Sequence, residues 1–349
     1  MRKNVVVATD SLFLNDHAKT AHGLIRGSER FKVLAIIDEK NKGTDAGELL
    51  DGLFRNIPIL TSVEQAIEKF TVIDCLIIGV ATIGGVLSET LLKTLYEALE
   101  KGIGIVNGLH DLLNERKDMV RLAQKYSAEL IDIRKPKSPK EMHFWNGSVF
   151  DVKVPIVAFL AMDCAMGKRT TATLVKNECL KTTLHAEMIY TGQTGWMQGN
   201  KYGFIFDSTL NDFVSGELEH AITQCWKEER PDLILIEGQS SLRNPSGPCG
   251  LEFIISGNAK QVVLIHSPNR HYFDHEPKWG RIPSVASEIE LIEKMGASVI
   301  ALALNTEGLS KEEVLKNQTR YKKSLGIPVV LPLEEGVKDI ISEIKGLHV

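Results

Sequence analysis

The run Asp163-Cys164-Ala165-Met166-Gly167-Lys168-Arg169-Thr170-Thr171 lies between an apolar stretch, Val154–Leu160, and a segment with helical spacing. A phosphate-binding loop needs a glycine for a tight turn, a lysine as a point charge and the N–H groups of a starting helix. The match to GxxxxGK[ST] is imperfect: Met162 stands at the first-glycine position, and Arg169 separates Lys168 from the first threonine. The order strand, loop, glycine–lysine, paired threonines and helix predicts an anion site. The plainer alternative is a helix start capped by Asp163, with Lys168 solvated.

A second pattern is the apolar run Leu233–Ile236, which closes on Glu237 and continues as Gly238, Gln239, Ser240 and Ser241. A carboxylate at a strand end downstream of a phosphate loop suits the positioning of magnesium or water. A third is Thr191-Gly192-Gln193-Thr194-Gly195, at the end of a predicted strand, which reads as a polar ligand cradle. Asp212 is either a helix N-cap or a second carboxylate of the site, and Glu219, seven residues on, shares its helix face. Asn305 and Thr306 end another apolar run, where nucleotide folds often place a base-contacting amide. His110, His185, His266, His271 and His275 form no HExxH motif, and His266 reads as structural. Cys164 sits inside the loop, where helix N–H groups lower a thiol pKa, but no histidine–acid pattern accompanies it.

The elements that must position these groups alternate strand and helix. In residues 1–135, β-branched runs predict buried parallel strands at Asn4–Thr9, Phe31–Asp38, Ile57–Leu60, Asp74–Gly79 and Ile103–Asn107. Helical spacing appears at Ser88–Lys101 and Asp111–Ala128. Residues 136–153 contain proline and several basic side chains and predict a linker, although Phe144, Trp145 and Phe150 argue that it packs on something. Residues 154–349 carry a second series, with strands expected at 154–160, 187–191, 232–237, 261–266, 298–305 and 327–331. The expected fold is α/β: two doubly wound parallel-sheet domains, the first Rossmann-like and the second of P-loop NTPase type. The first βα turn, Thr9–Asn15, has no GxGxxG, and a lone Asp38 at a strand end does not support NAD binding.

Composition excludes several classes. The 349 residues are 43% hydrophobic and 25% charged with net charge -4, which fits a two-domain globular protein and offers no basic field for nucleic acid. No 18-residue apolar run suggests a membrane span, and the N-terminal apolar stretch is too short for a signal peptide. Five cysteines without CxxC spacing argue for reduced thiols and a cytoplasmic location. A small-molecule substrate and a homo-oligomer are expected.

Taken together, several segments resemble a bacterial and archaeal family that includes the DgcN-type D-glutamate N-acetyltransferases, once filed as an uncharacterised group similar to NAD-dependent epimerases and dehydratases. The likeness runs over nearly the whole chain and rests on Ala18–Arg26, Thr44–Gly52, Gly79–Gly85, Gly108–Leu113, Asp163–Thr171, Thr191–Gly195, Asp212–Gly216 and Glu237–Pro245. The loop is also similar to that of dethiobiotin synthetases, which have the same extra residue before the glycine–lysine pair. Two positions depart from the family pattern: Ala161 replaces a usual glycine, and Asn244 stands where a histidine is common. The resemblance implies acetyl transfer from acetyl-CoA to the α-amine of an amino acid.

Two mechanisms compete. In acetyl transfer, residues 163–171 grip a phosphate of coenzyme A, and Glu237 or Asp212 takes a proton from the substrate ammonium. Thr191–Gly195, Gln239 and Arg243 would then hold the substrate, with Arg243 on its carboxylate. In an ATP-dependent ligase or NTPase the same loop holds ATP, Thr170 or Thr171 contacts magnesium, and Glu237 orients the metal's water. The displaced threonine favours the first.

Overall fold

The computed structural model describes residues 2–347. The chain forms two compact units, one reaching from the N-terminus to Pro136 and taking in Gln193–Asn200, the other comprising Lys137–Gly192 and everything from Lys201 onward.

In the first unit, β1 (Lys3–Ala8), β2 (Phe31–Ile37), β3 (Ile59–Leu60), β4 (Cys75–Ile78), β5 (Gly104–Asn107) and β6 (Leu130–Asp132) form one parallel sheet in the order β3-β2-β1-β4-β5-β6. This is the Rossmann order. All residues of β4 and β5 are buried, as are Val5–Ala8 of β1, so these strands read as continuous apolar runs with no alternation. Strand β6 escapes the sequence pattern because it has only three half-buried residues. The helix expected over 111–128 is shorter. Asp132 captures the amides of Leu113 and Asn114 at 3.0 and 2.9 Å, holding them in a 3-10 turn, and the α-helix runs only over Lys117–Lys125.

In the second unit, β7 (Ile156–Ala161), β8 (Ala186–Ile189), β9 (Leu233–Glu237), β10 (Gln261–His266), β11 (Ser298–Leu304) and β12 (Val329–Val330) form a parallel sheet in the order β12-β11-β10-β7-β9-β8. Strand β7 lies between β9 and β8 on one side and β10, β11 and β12 on the other, so the strand order reverses at it. The carboxyl edge beside β7 is therefore where a ligand crevice belongs.

Two segments differ from expectation. Residues 137–153 are part of the second unit: Val149 is fully buried in its core, and buried Glu217 and Glu219 hold the segment to the helix Asn211–Glu229. Glu217 accepts from Lys137 Nζ at 2.6 Å and from the His143 amide at 2.8 Å, while Glu219 accepts from the amides of Asn146 and Val149. The Thr191–Gly195 run is not a single loop. Gln193, Thr194 and Gly195 open a helix, Gln193–Gln198, that packs in the first unit, where Met197 is fully buried. No helix among the described residues is long and apolar enough to cross a membrane.

Candidate active site

Strand β7 is buried along its whole length and turns through residues 162–167 into the helix Lys168–Cys179. Gly167 makes that turn at φ +103°, a left-handed value that suits glycine, and no side chain caps the helix start. Ala165 is also left-handed, at φ +52°, which costs strain in a residue with a side chain. Lys168 folds back over the loop, and its Nζ donates to the carbonyls of Asp163 at 2.9 Å and Ser240 at 2.6 Å. A buried ammonium at an uncapped helix start is an arrangement that attracts phosphate. From β11, the Asn305 amide donates to the Met166 carbonyl at 3.2 Å, so this residue braces the loop itself.

Strand β9 supplies the facing group. Pairing sets Phe159 opposite Glu237 at the carboxyl edge. A Cβ on the next residue, Gly238, would overlap the Phe159 carbonyl oxygen, so glycine is what lets the β9 exit lie against β7. Glu237 is 2% exposed, and burial pushes its carboxyl above the usual range, with Arg169 opposing. Its side-chain contacts are long: Arg169 at 3.4 Å on Oε1 and the Thr191 amide at 3.4 Å on Oε2. Around it, Thr191 Oγ1 donates to the Glu237 carbonyl at 2.6 Å, and Gln239 Nε2 donates to Thr191 Oγ1 at 2.9 Å.

Other buried carboxylates behave differently. Asp38 accepts from Thr9 Oγ1 at 2.6 Å, from the Phe13 amide at 3.0 Å and from Asn41, so it ties its own loop and is not presented to a ribose. Asp163 accepts from Asn244 Nδ2 at 2.7 Å, Arg270 at 2.9 Å and the Asp274 amide at 2.8 Å. Short bonds to several donors mark a structural anchor, whereas a buried, weakly held carboxylate of raised pKa is suited to moving a proton.

The structure thus brings together Asp163, Cys164, Lys168, Arg169, Thr191, Glu237, Gln239 and Ser240. Cys164 Sγ lies 3.3 Å from Ser240 Oγ, and burial raises its pKa, contrary to the lowering a helix start suggests. Thr170 is half-buried, and buried Thr171 donates its amide to the Gly167 carbonyl. Gly192 stays beside Gln239, since a Cβ there would come within 3.0 Å of Nε2. Other expected residues are placed elsewhere. Arg243, expected on a substrate carboxylate, binds Ser287 Oγ at 3.0 Å, the Ser287 carbonyl at 2.6 Å and buried Glu288 at 3.0 Å. Asp212 is exposed in the first turn of Asn211–Glu229, whose N-cap is Leu210. Gln193 accepts from Arg134 at 3.1 Å, and Thr194 Oγ1 lies 2.9 Å from Thr20 Oγ1, all within the first unit. His266 ends β10 buried, bonded through Nε2 to Tyr321 Oη at 3.0 Å. Sequence reasoning missed Arg270 and Asp274, because they sit in irregular loops without a motif; Ser240 appeared only as one residue of the strand-exit pattern, and Asn244 stood out only as a departure from the family pattern.

Comparison with known proteins agrees with this architecture. A family model described as the P-loop domain of DUF1611, a domain of unknown function, matches residues 143–341, and its N-terminal Rossmann-like companion matches residues 39–136. A curated protein from Pseudoalteromonas sp, named D-glutamate N-acetyltransferase, is 29% identical over 275 residues, covering 77% of this chain and 80% of its own. A second of that name, from Tritonibacter scottomollicae, is 27% identical over 282 residues, covering 76% and 79%. The crystal structure of a DUF1611 family protein from Anabaena variabilis, 26% identical, matches with TM-score 0.90 over 99% of this chain and 100% of that one.

Proposed function

The chain belongs to the DUF1611 family, and from that premise we propose that it is an N-acetyltransferase moving the acetyl group of acetyl-CoA to the amine of an acidic amino acid such as D-glutamate. Two curated relatives are named D-glutamate N-acetyltransferase. The observation that carries the reading is Glu237: buried at the sheet edge beside Lys168, held only at 3.4 Å, and raised in pKa by its burial.

In this reading Lys168 and the start of its helix hold a phosphate of coenzyme A. Glu237 accepts a proton from the substrate ammonium, and Arg169 beside it favours the ionised form that can do so. The freed amine attacks the thioester carbonyl, a C–N bond forms, the C–S bond breaks, and the departing thiolate takes up a proton. Thr191 and Gln239 orient the amino acid. An ATP–magnesium reaction has less support, because P-loop NTPases place a metal-binding hydroxyl directly after the lysine. Here that position is Arg169, whose guanidinium already stands against Glu237.

The test is direct. Protein incubated with acetyl-CoA, D-glutamate and a metal chelator should release CoA thiol and N-acetylated amino acid in equal amounts. Amino-acid-dependent release of phosphate from ATP, without any thiol, would replace this reading with a ligase.

A further inference from the structure

Strand β10 lies beside β7, and the segment after it returns to the loop. Arg270 donates from a terminal nitrogen to Asp163 Oδ2 at 2.9 Å, with its side chain 9% exposed and Asp163 fully buried. The Asp274 amide reaches the same oxygen at 2.8 Å, and the Asn244 amide bridges Asp163 Oδ1 at 2.7 Å and Asp274 Oδ2 at 2.9 Å. Asn244 cannot be turned round, because its own Oδ1 accepts from the Ser246 amide and hydroxyl, both at 2.9 Å. Asp274 and His275 take left-handed φ values of +47° and +62°, strain that this bonding sustains. One buried residue therefore fixes two cations: the Asp163 side chain holds Arg270, and its carbonyl holds Lys168.

The charge balance shows what this arrangement is for. Asp163, Cys164 and Asp274 place their oxygen and sulfur atoms within 4.8 Å of one another, immediately beside the phosphate loop. Two carboxylates there would repel an anion unless a cation offset them. Arg270 does so, and its planar fork has five N–H donors, of which the Asp163 bond uses one. We propose that Arg270 is a second cation of the anion site, binding a second phosphate group of the ligand while Lys168 binds the first. This rests on the reading of residues 163–171 as a phosphate loop, and the ligand class is a nucleotide-like molecule with more than one phosphate, as coenzyme A is.

Titration of the full-length protein with CoA and with AMP, which carries a single phosphate, tests it. Arg270→Gln should weaken CoA at least about tenfold and change AMP less than about twofold, because one fork-shaped charged contact is lost. Arg270→Lys, which keeps charge but not the fork, should fall between. Lys168→Ala should weaken both ligands. If Arg270→Gln binds CoA like the unaltered protein, or loses CoA and AMP equally, Arg270 is a brace for Asp163 and the proposal is overturned. If Lys168→Ala leaves both affinities intact, the phosphate reading itself fails and takes this proposal with it. Should Arg270→Gln fail to fold around an unpaired Asp163, the double variant Asp163→Asn/Arg270→Gln removes that charge, and the same two affinities decide.

Discussion

At the scale of residues, bond length separates the tightly held buried carboxylates from a weakly held one. Asp38, Asp163, Glu217 and Glu219 each hold several donors, whereas Glu237 has two long contacts. Its place at the end of an apolar strand made Glu237 a candidate, while Asp163 read as part of the phosphate loop or as a helix cap; its role as an anchor depends on donors more than 80 residues away. His266 gives a prediction of its own. Burial lowers its pKa from 6.5 to about 4, and its Nδ1 has no partner among the described residues. Between those values the unfolded chain binds a proton that the native imidazole refuses, so stability rises with pH across this window and is lost as pH falls. The full effect is roughly 3 kcal/mol, from 1.4 kcal/mol per unit. Melting curves between pH 7 and 4.5 should show His266→Gln losing less stability than the unaltered protein; parallel losses would mean that other groups dominate.

At the scale of elements, the site depends on how closely two strand exits approach. Gly238→Ala would push a methyl group into the Phe159 carbonyl and separate β9 from β7. The cost should be roughly 2–4 kcal/mol by denaturant titration, with turnover falling further because Glu237 moves with the strand. A cost under about 0.5 kcal/mol, within the range of an ordinary surface change, would contradict the close packing. The long buried strands were legible because apolar runs bounded by helices have few other solutions. What was not legible were features set by single polar contacts: the truncation of the 111–128 helix by Asp132, and the diversion of Arg243 to Ser287 and Glu288. No periodicity announces a side chain that reaches a distant backbone group.

At the scale of the whole molecule, the first unit is completed by a segment from inside the second unit's sequence. Ser28 Oγ donates to the Met197 carbonyl at 2.7 Å, Arg30 Nε to the Trp196 carbonyl at 2.9 Å, and Gln198 Nε2 to the Gly23 carbonyl at 3.0 Å. Arg30 also stacks on Trp196 at 4.1 Å. The sequence hides this excursion, because Gln193–Asn200 is too short to show an apolar stripe and these partners lie 166 to 175 residues earlier. Met197→Ala should open a cavity in the first unit's core and cost about 2–5 kcal/mol in chemical unfolding, despite lying outside residues 1–136. A negligible loss would show that the segment merely rests on that unit.

Steady-state kinetics of Glu237→Gln with acetyl-CoA and D-glutamate test the central claim, that the buried carboxylate beside the phosphate loop is the base for acetyl transfer. The account predicts that kcat falls by roughly two to four orders of magnitude, as expected for loss of a general base, while CoA affinity stays within a few-fold. The acid limb of the pH–rate profile, set by the raised pKa of Glu237, should disappear with it. An unchanged kcat, or a loss confined to CoA binding, would contradict the account.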